Sequence, residues 1–134
     1  FYSANTGDAP DDDTRRHVFA VGVDGAAPPR AITRGTGIEM TPAATHDGVA
    51  LLAAGPRDAG AIAWCSRRCE TLKGQDAPRD FAGAAMVVPE KVQWQAPDGT
   101  TIFGQLFRPP GPARAKRPGV VFVHGGPPRQ MLLG

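Results

Sequence analysis

Pro118-Gly119-Val120-Val121-Phe122-Val123-His124-Gly125-Gly126-Pro127 sets the fold class. Val120 to Val123 is a short, unbroken apolar run rich in β-branched residues. Such a run predicts a strand buried on both faces, as in the parallel sheet of an α/β protein. It stops at His124-Gly125-Gly126. Paired glycines reach backbone angles that other residues avoid, and they let a ligand approach the main chain closely. A Gly-rich loop after a buried strand can therefore aim a backbone N–H at a developing oxyanion. Gly-Gly-Pro-Pro is also the composition of an ordinary turn, and from these residues alone both readings stand.

Upstream, Lys91 to Phe107 reads as an antiparallel hairpin. Val92, Trp94 and Ala96 alternate with polar neighbours, Asp98-Gly99 turns, and Thr101 to Phe107 returns. Pro109-Pro110-Gly111-Pro112 then makes a stiff loop, and Arg114, Lys116 and Arg117 read as solvated loop residues. From about Gly74 to Pro89 the apolar pattern lapses, which predicts a domain boundary there.

Residues 1 to about 75 read as short strands and turns. Arg16 to Val23 predicts a strand that breaks at Asp24-Gly25, a hairpin signal. Arg30-Ala31-Ile32-Thr33 predicts a short edge strand. Asp47-Gly48 predicts a turn, Val49 to Ala54 a strand, and Ala61 to Cys65 another. Regular short spacing without a helix favours an all-β meander, of which a four-stranded propeller blade is one form. The 17 Gly and 14 Pro among 134 residues agree with turns and strands rather than helices.

Charge and composition narrow the function classes. A net charge of +2 at pH 7, with no basic cluster interleaved with aromatics, argues against a nucleic-acid partner. No apolar run approaches the roughly 20 residues of a transmembrane helix. The chain begins at Phe1 without a methionine and reads as an excerpt of something longer. Asp11-Asp12-Asp13 predicts a hydrated loop, because the carboxylates of a calcium loop do not follow. His17 and His46 have no assignable partner and read as surface or hairpin residues. Cys65 and Cys69 lie four residues apart, about 13 Å in an extended strand, beyond disulfide reach. A turn would bring them together; the default expectation is two free thiols.

Three segments carry a family resemblance: Val88-Pro89-Glu90-Lys91-Val92, Ala96-Pro97-Asp98-Gly99 through Phe107-Arg108-Pro109, and Arg117-Pro118-Gly119 through His124-Gly125-Gly126-Pro127. Together they resemble the prolyl oligopeptidase family of serine peptidases, in its dipeptidyl-peptidase IV and acylaminoacyl-peptidase branches. In that family a β-propeller precedes a C-terminal α/β-hydrolase domain. The resemblance implies a mixed fold: the end of a propeller over residues 1–76, a linker over 77–90, and the start of the hydrolase domain over 91–134. It implies short peptide substrates, a serine acyl-enzyme, and no metal or organic cofactor. Gly125 and Gly126 match the loop whose backbone N–H joins the oxyanion hole, with Gly126 the first choice. His124 matches a structural residue of that loop, since the triad histidine comes last in the order Ser, Asp, His.

The chain departs from the family in one decisive respect. Its only serines are Ser3 and Ser66, and neither lies in Gly-x-Ser-x-Gly. An oxyanion donor without a nucleophile forms no acyl-enzyme. Residues 1–134 alone are therefore expected to be inactive, and Val120 to Val123 to lack neighbours and expose apolar surface. Two other readings remain: an esterase or lipase fragment, whose related loop often reads His-Gly-Gly-Gly, and a non-catalytic β-propeller or sandwich module that binds a partner.

Overall fold

Val49 to Ala54 is apolar on both faces of a strand, and the second sheet is built around it. The computed structural model describes residues 1–7, 12, 14–58, 60–72, 78–112, 118–126 and 131–132. Among them the fold is all-β, in three small antiparallel sheets with no α-helix. The first sheet holds β1 (Tyr2–Ala4), β2 (His17–Ala20) and β3 (Arg30–Ala31), in that order. The second is a meander of β4 (Ile38–Ala44), β5 (Val49–Ala54), β6 (Ala61–Cys65) and β7 (Cys69–Thr71). The third is the hairpin of β8 (Glu90–Gln95) and β9 (Thr101–Leu106). A single 3₁₀ turn, Gly83–Ala85, lies between the second and third sheets among the described residues.

The core forms where the first two sheets meet. Val49 and Leu51 of β5 and Ala63 and Cys65 of β6 point inward and pack with Val18 of β2. Burying such side chains removes apolar area from water, worth about 1.5–3 kcal/mol for each large one. On the opposite face, Leu52 and Ile62 are paired across the ladder yet exposed. The second sheet thus carries apolar residues on both faces and covers only one.

The sheets are joined at one corner. Arg16 and Ile38 form a parallel bridge, and the Glu39 N–H donates to the Arg16 carbonyl at 2.8 Å. Thr33 Oγ1 accepts from the Val18 N–H at 3.0 Å, which satisfies a buried strand-end donor. Tyr2 stacks on Phe19 with centroids 5.6 Å apart, as their direct cross-strand register allows. β2 ends at Ala20, short of the expected Val23, and Val21 and Val23 are exposed. β3 pairs only Phe19 and Ala20, and past them the chain turns, with the Gly25 N–H donating to the Gly22 carbonyl at 3.1 Å.

β4 was not legible as a strand, since it contains Pro42. The structure resolves the conflict with a bulge. Register shifts between Met40 and Ala43, and Thr41 takes a φ of 49°, a region β-branched residues rarely enter. Proline has no ladder N–H to lose at such a site.

Two further expectations are corrected. His17 is not a surface residue: it is 2% exposed and sits on β2 against Glu39. Cys65 and Cys69 are not free thiols but form a disulfide. The turn at Ser66-Arg67-Arg68 folds β7 back on β6, so the two cysteines face each other in register with Cα atoms 4.0 Å apart.

The third sheet follows its sequence closely. Gly99 N–H donates to Ala96 O at 2.9 Å, and Ala96 N–H to Thr100 O at 2.8 Å. Gly99 holds a φ of 83°, the left-handed position such a turn requires. The Asp98 carboxylate accepts from the Thr100 N–H at 2.9 Å, and that bond holds its pKa below the usual value. A lowered native pKa makes this contribution present at neutral pH and lost as pH falls through it. The Thr100 amide resonance is therefore expected to titrate with Asp98 in acid and to lose that response in Asp98→Ala. No helix among the described residues is long and apolar enough to cross a membrane.

Candidate functional site

Residues 118–126 form no strand. Val120, Val121, Phe122 and Val123 are 94%, 89%, 84% and 83% exposed. The expected buried strand is absent because no strand lies beside it among the described residues to complete a ladder; the exposure matches the expectation for a strand lacking neighbours. An apolar segment this open is unfavourable in water.

The loop after it keeps a defined backbone. Gly126 has a φ of 87°, in the left-handed region where a Cβ is disfavoured. A Cβ on Gly125 would meet no described atom within 4 Å. Gly125 and Gly126 are exposed, and no described group accepts a hydrogen bond from their N–H groups. His124 is exposed beside them. Pro127 lies outside the described residues, as do Arg114, Lys116 and Arg117.

Among the described residues, no hydrogen bond joins either serine to the loop. Ser3 lies on β1 opposite Val18, half-buried. Ser66 lies on the β6–β7 turn, where its N–H donates to Arg68 O at 3.1 Å. His46 is exposed in the β4–β5 turn. No hydrogen bond joins a serine side chain to a histidine among the described residues.

The one histidine with a carboxylate partner is elsewhere. His17 Nδ1 lies 2.7 Å from Glu39 Oε2, with the side chains 2% and 12% exposed. The carboxylate accepts, so Nδ1 carries a proton and the pair fixes the ring's orientation. His17 Nε2 is buried, with no hydrogen-bond partner among the described residues. A base needs reach to its substrate; this one is sealed in the protein, so the pair is structural. Nothing in the sequence joined His17 to Glu39 across 22 positions. The only hint was the polar residue at Glu39 between Ile38 and Met40.

Two shallow cavities flank Glu39, of about 460 Å³ and 350 Å³. They share Glu39, Ala53 and Thr71, and neither includes the glycine loop. Of the acidic run, only Asp12 is described; Asp11 and Asp13 lie outside the described residues. Asp12 accepts hydrogen bonds from the hydroxyl and N–H of Thr14. The hydroxyl bond is the largest cause of its lowered pKa, followed by burial, which opposes it. Among the described residues no group of three or more His, Cys, Asp or Glu is placed to hold a metal ion.

Comparison with known proteins matches the chain to no family model, no curated protein and no solved structure.

Proposed function

We propose that residues 1–134 belong to a serine peptidase similar to the prolyl oligopeptidase family. In this reading residues 1–76 end a β-propeller, 77–90 connect, and 91–134 open an α/β-hydrolase domain. The observation that carries it is the His124-Gly125-Gly126-Pro127 loop: Gly126 takes the left-handed backbone and is exposed. The two-faced apolar second sheet supports the propeller half, since blades are covered on both sides. The exposed Val120 to Val123 run supports the hydrolase half, as a strand whose neighbours are not among the described residues.

The chemistry assigned to this chain is one part of an acyl transfer. A serine attacks the peptide carbonyl, and the carbonyl oxygen gains negative charge in the tetrahedral intermediate. The Gly126 N–H donates to that oxygen, a contact worth roughly 10²–10³ in rate where one donor has been removed from such a hole. Serine, acid and triad histidine are supplied from outside residues 1–134. Substrates are short peptides.

The test uses a fluorophosphonate probe, which labels an activated serine, alongside fluorogenic aminoacyl and dipeptidyl amides. Purified 1–134 is expected to show no turnover and no label on Ser3 or Ser66. The gene product that contains it is expected to take one label, on a serine outside this stretch. Turnover by 1–134 itself, or a gene product that takes no label, would overturn the reading.

A non-catalytic module is the second reading. It is favoured by one observation, that neither serine of the chain lies in a nucleophile motif.

A further inference from the structure

We propose that the Cys65–Cys69 disulfide is a reducible clasp that holds β7 in the second sheet. This inference does not depend on the peptidase reading. It rests on how little else retains β7. The strand has three residues, Cys69–Thr71, and all three are exposed. It sits at the edge of the meander and, among the described residues, pairs only with β6. Short edge strands with no buried side chain have few contacts to resist fraying.

The ladder shows where the clasp acts. Leu72 N–H donates to Ile62 O at 3.0 Å, and Ser66 N–H to Arg68 O at 3.1 Å. By antiparallel alternation, Cys65 and Cys69 occupy a non-hydrogen-bonded pair, where Cα atoms come closest. The crosslink therefore stands in for ladder bonds at that position. It encloses only Ser66-Arg67-Arg68, and so short a loop removes little entropy from the unfolded chain. Its effect is local, on β7, rather than on the sheet as a whole.

The sulfurs differ in access. Cys65 is 2% exposed within the core, whereas Cys69 is exposed at the edge. A dithiol reductant enters at Cys69: its thiolate attacks Cys69 Sγ, the bond between the two cysteines breaks, and Cys65 Sγ leaves and takes a proton. The second thiol of the reductant then attacks its own sulfur in the mixed disulfide and releases Cys69 as a thiolate, which takes the second proton. Two electrons and two protons pass to the protein, and the reductant ends as a disulfide.

Release of β7 has a structural consequence. Cys69, Glu70 and Thr71 line the cavity of about 350 Å³ that also contains Leu51 and Ala63 of the core. Freeing the strand removes that wall and uncovers the inner face of β6. The thiol state of one disulfide thus sets how much of the core is open to solvent.

Native-state hydrogen exchange on the chain, oxidised and after dithiothreitol, tests this, with reduction verified by the mass of two added hydrogens. Cys69→Ser serves as a second probe, because it removes the crosslink at an exposed position and leaves the core cysteine in place. In the reduced protein and in Cys69→Ser, the Glu70 and Leu72 amides are expected to exchange at least about tenfold faster. Amides of β4 and β5 are expected to keep their rates. Unchanged β7 amides after verified reduction, a uniform acceleration over the second sheet, or a disulfide that resists dithiothreitol in native buffer would each overturn the proposal.

Discussion

His17→Ala is expected to destabilise the protein by about 2–5 kcal/mol, from the cavity a deleted buried side chain leaves and the hydrogen bond Glu39 loses. The histidine is 2% exposed and the Glu39 carboxylate it holds is 12% exposed. Removing the ring leaves that carboxylate nearly buried with its Oε2 partner gone, and opens a void where the buried ring stood. Small domains have only about 5–15 kcal/mol in total, so the loss is a large share. The double variant His17→Ala/Glu39→Ala is expected to lose less than the sum of the two single variants, because the stranded charge goes with its partner. Urea midpoints followed by circular dichroism check this. A loss below about 1 kcal/mol for His17→Ala would show that the pair is solvated and contributes as a surface bridge does.

Leu51→Ala is the second large effect, expected at about 2–5 kcal/mol. Leu51 is 2% exposed and packs in the cluster of Val18, Val49, Ala63 and Cys65 that joins the first two sheets. Part of the cost is lost burial and part is the cavity left behind, since a β-sheet floor collapses poorly. Leu52→Ala, one position on, is the internal control. Leu52 faces the other side of the same strand and is 45% exposed, so it is expected to cost well under half as much. Equal losses at the two positions would contradict the assigned register, in which a one-residue slip exchanges the faces.

β5 and β6 were legible as strands, though not their register, because glycine-containing turns precede β5 and separate it from β6 and neither strand carries proline. The same holds for the β8–β9 hairpin, whose Asp98-Gly99 turn and alternating Val92 and Trp94 left little choice. β4 was hidden by Pro42, which reads as a strand breaker until the bulge at Thr41 is seen. β7 and β1 are three residues each, too short to show periodicity. The disulfide was hidden for a related reason. Measured along an extended chain its cysteines are too far apart, and only the hairpin turn brings them into register. His17 failed as a surface assignment because its partner is a tertiary neighbour, and a single sequence does not show such a pairing.

The candidate site divides in the same way. The His124-Gly125-Gly126 loop was legible from its residues, and the left-handed φ of Gly126 agrees with a position reserved for glycine. Burial of Val120 to Val123 was not realised, because burial belongs to neighbours rather than to the run itself. The same apolar residues that predict a central strand become the most exposed apolar segment when nothing lies beside them.

The central claim is that this loop serves a serine peptidase, and the most direct measurement is the coding sequence beyond the codon for Gly134. The expected result is a Gly-x-Ser-x-Gly motif between a predicted strand and helix, followed by an aspartate and then a histidine. A stop codon shortly after Gly134, or a hydrolase-like continuation with another residue in place of the serine, would contradict the claim and leave a binding module.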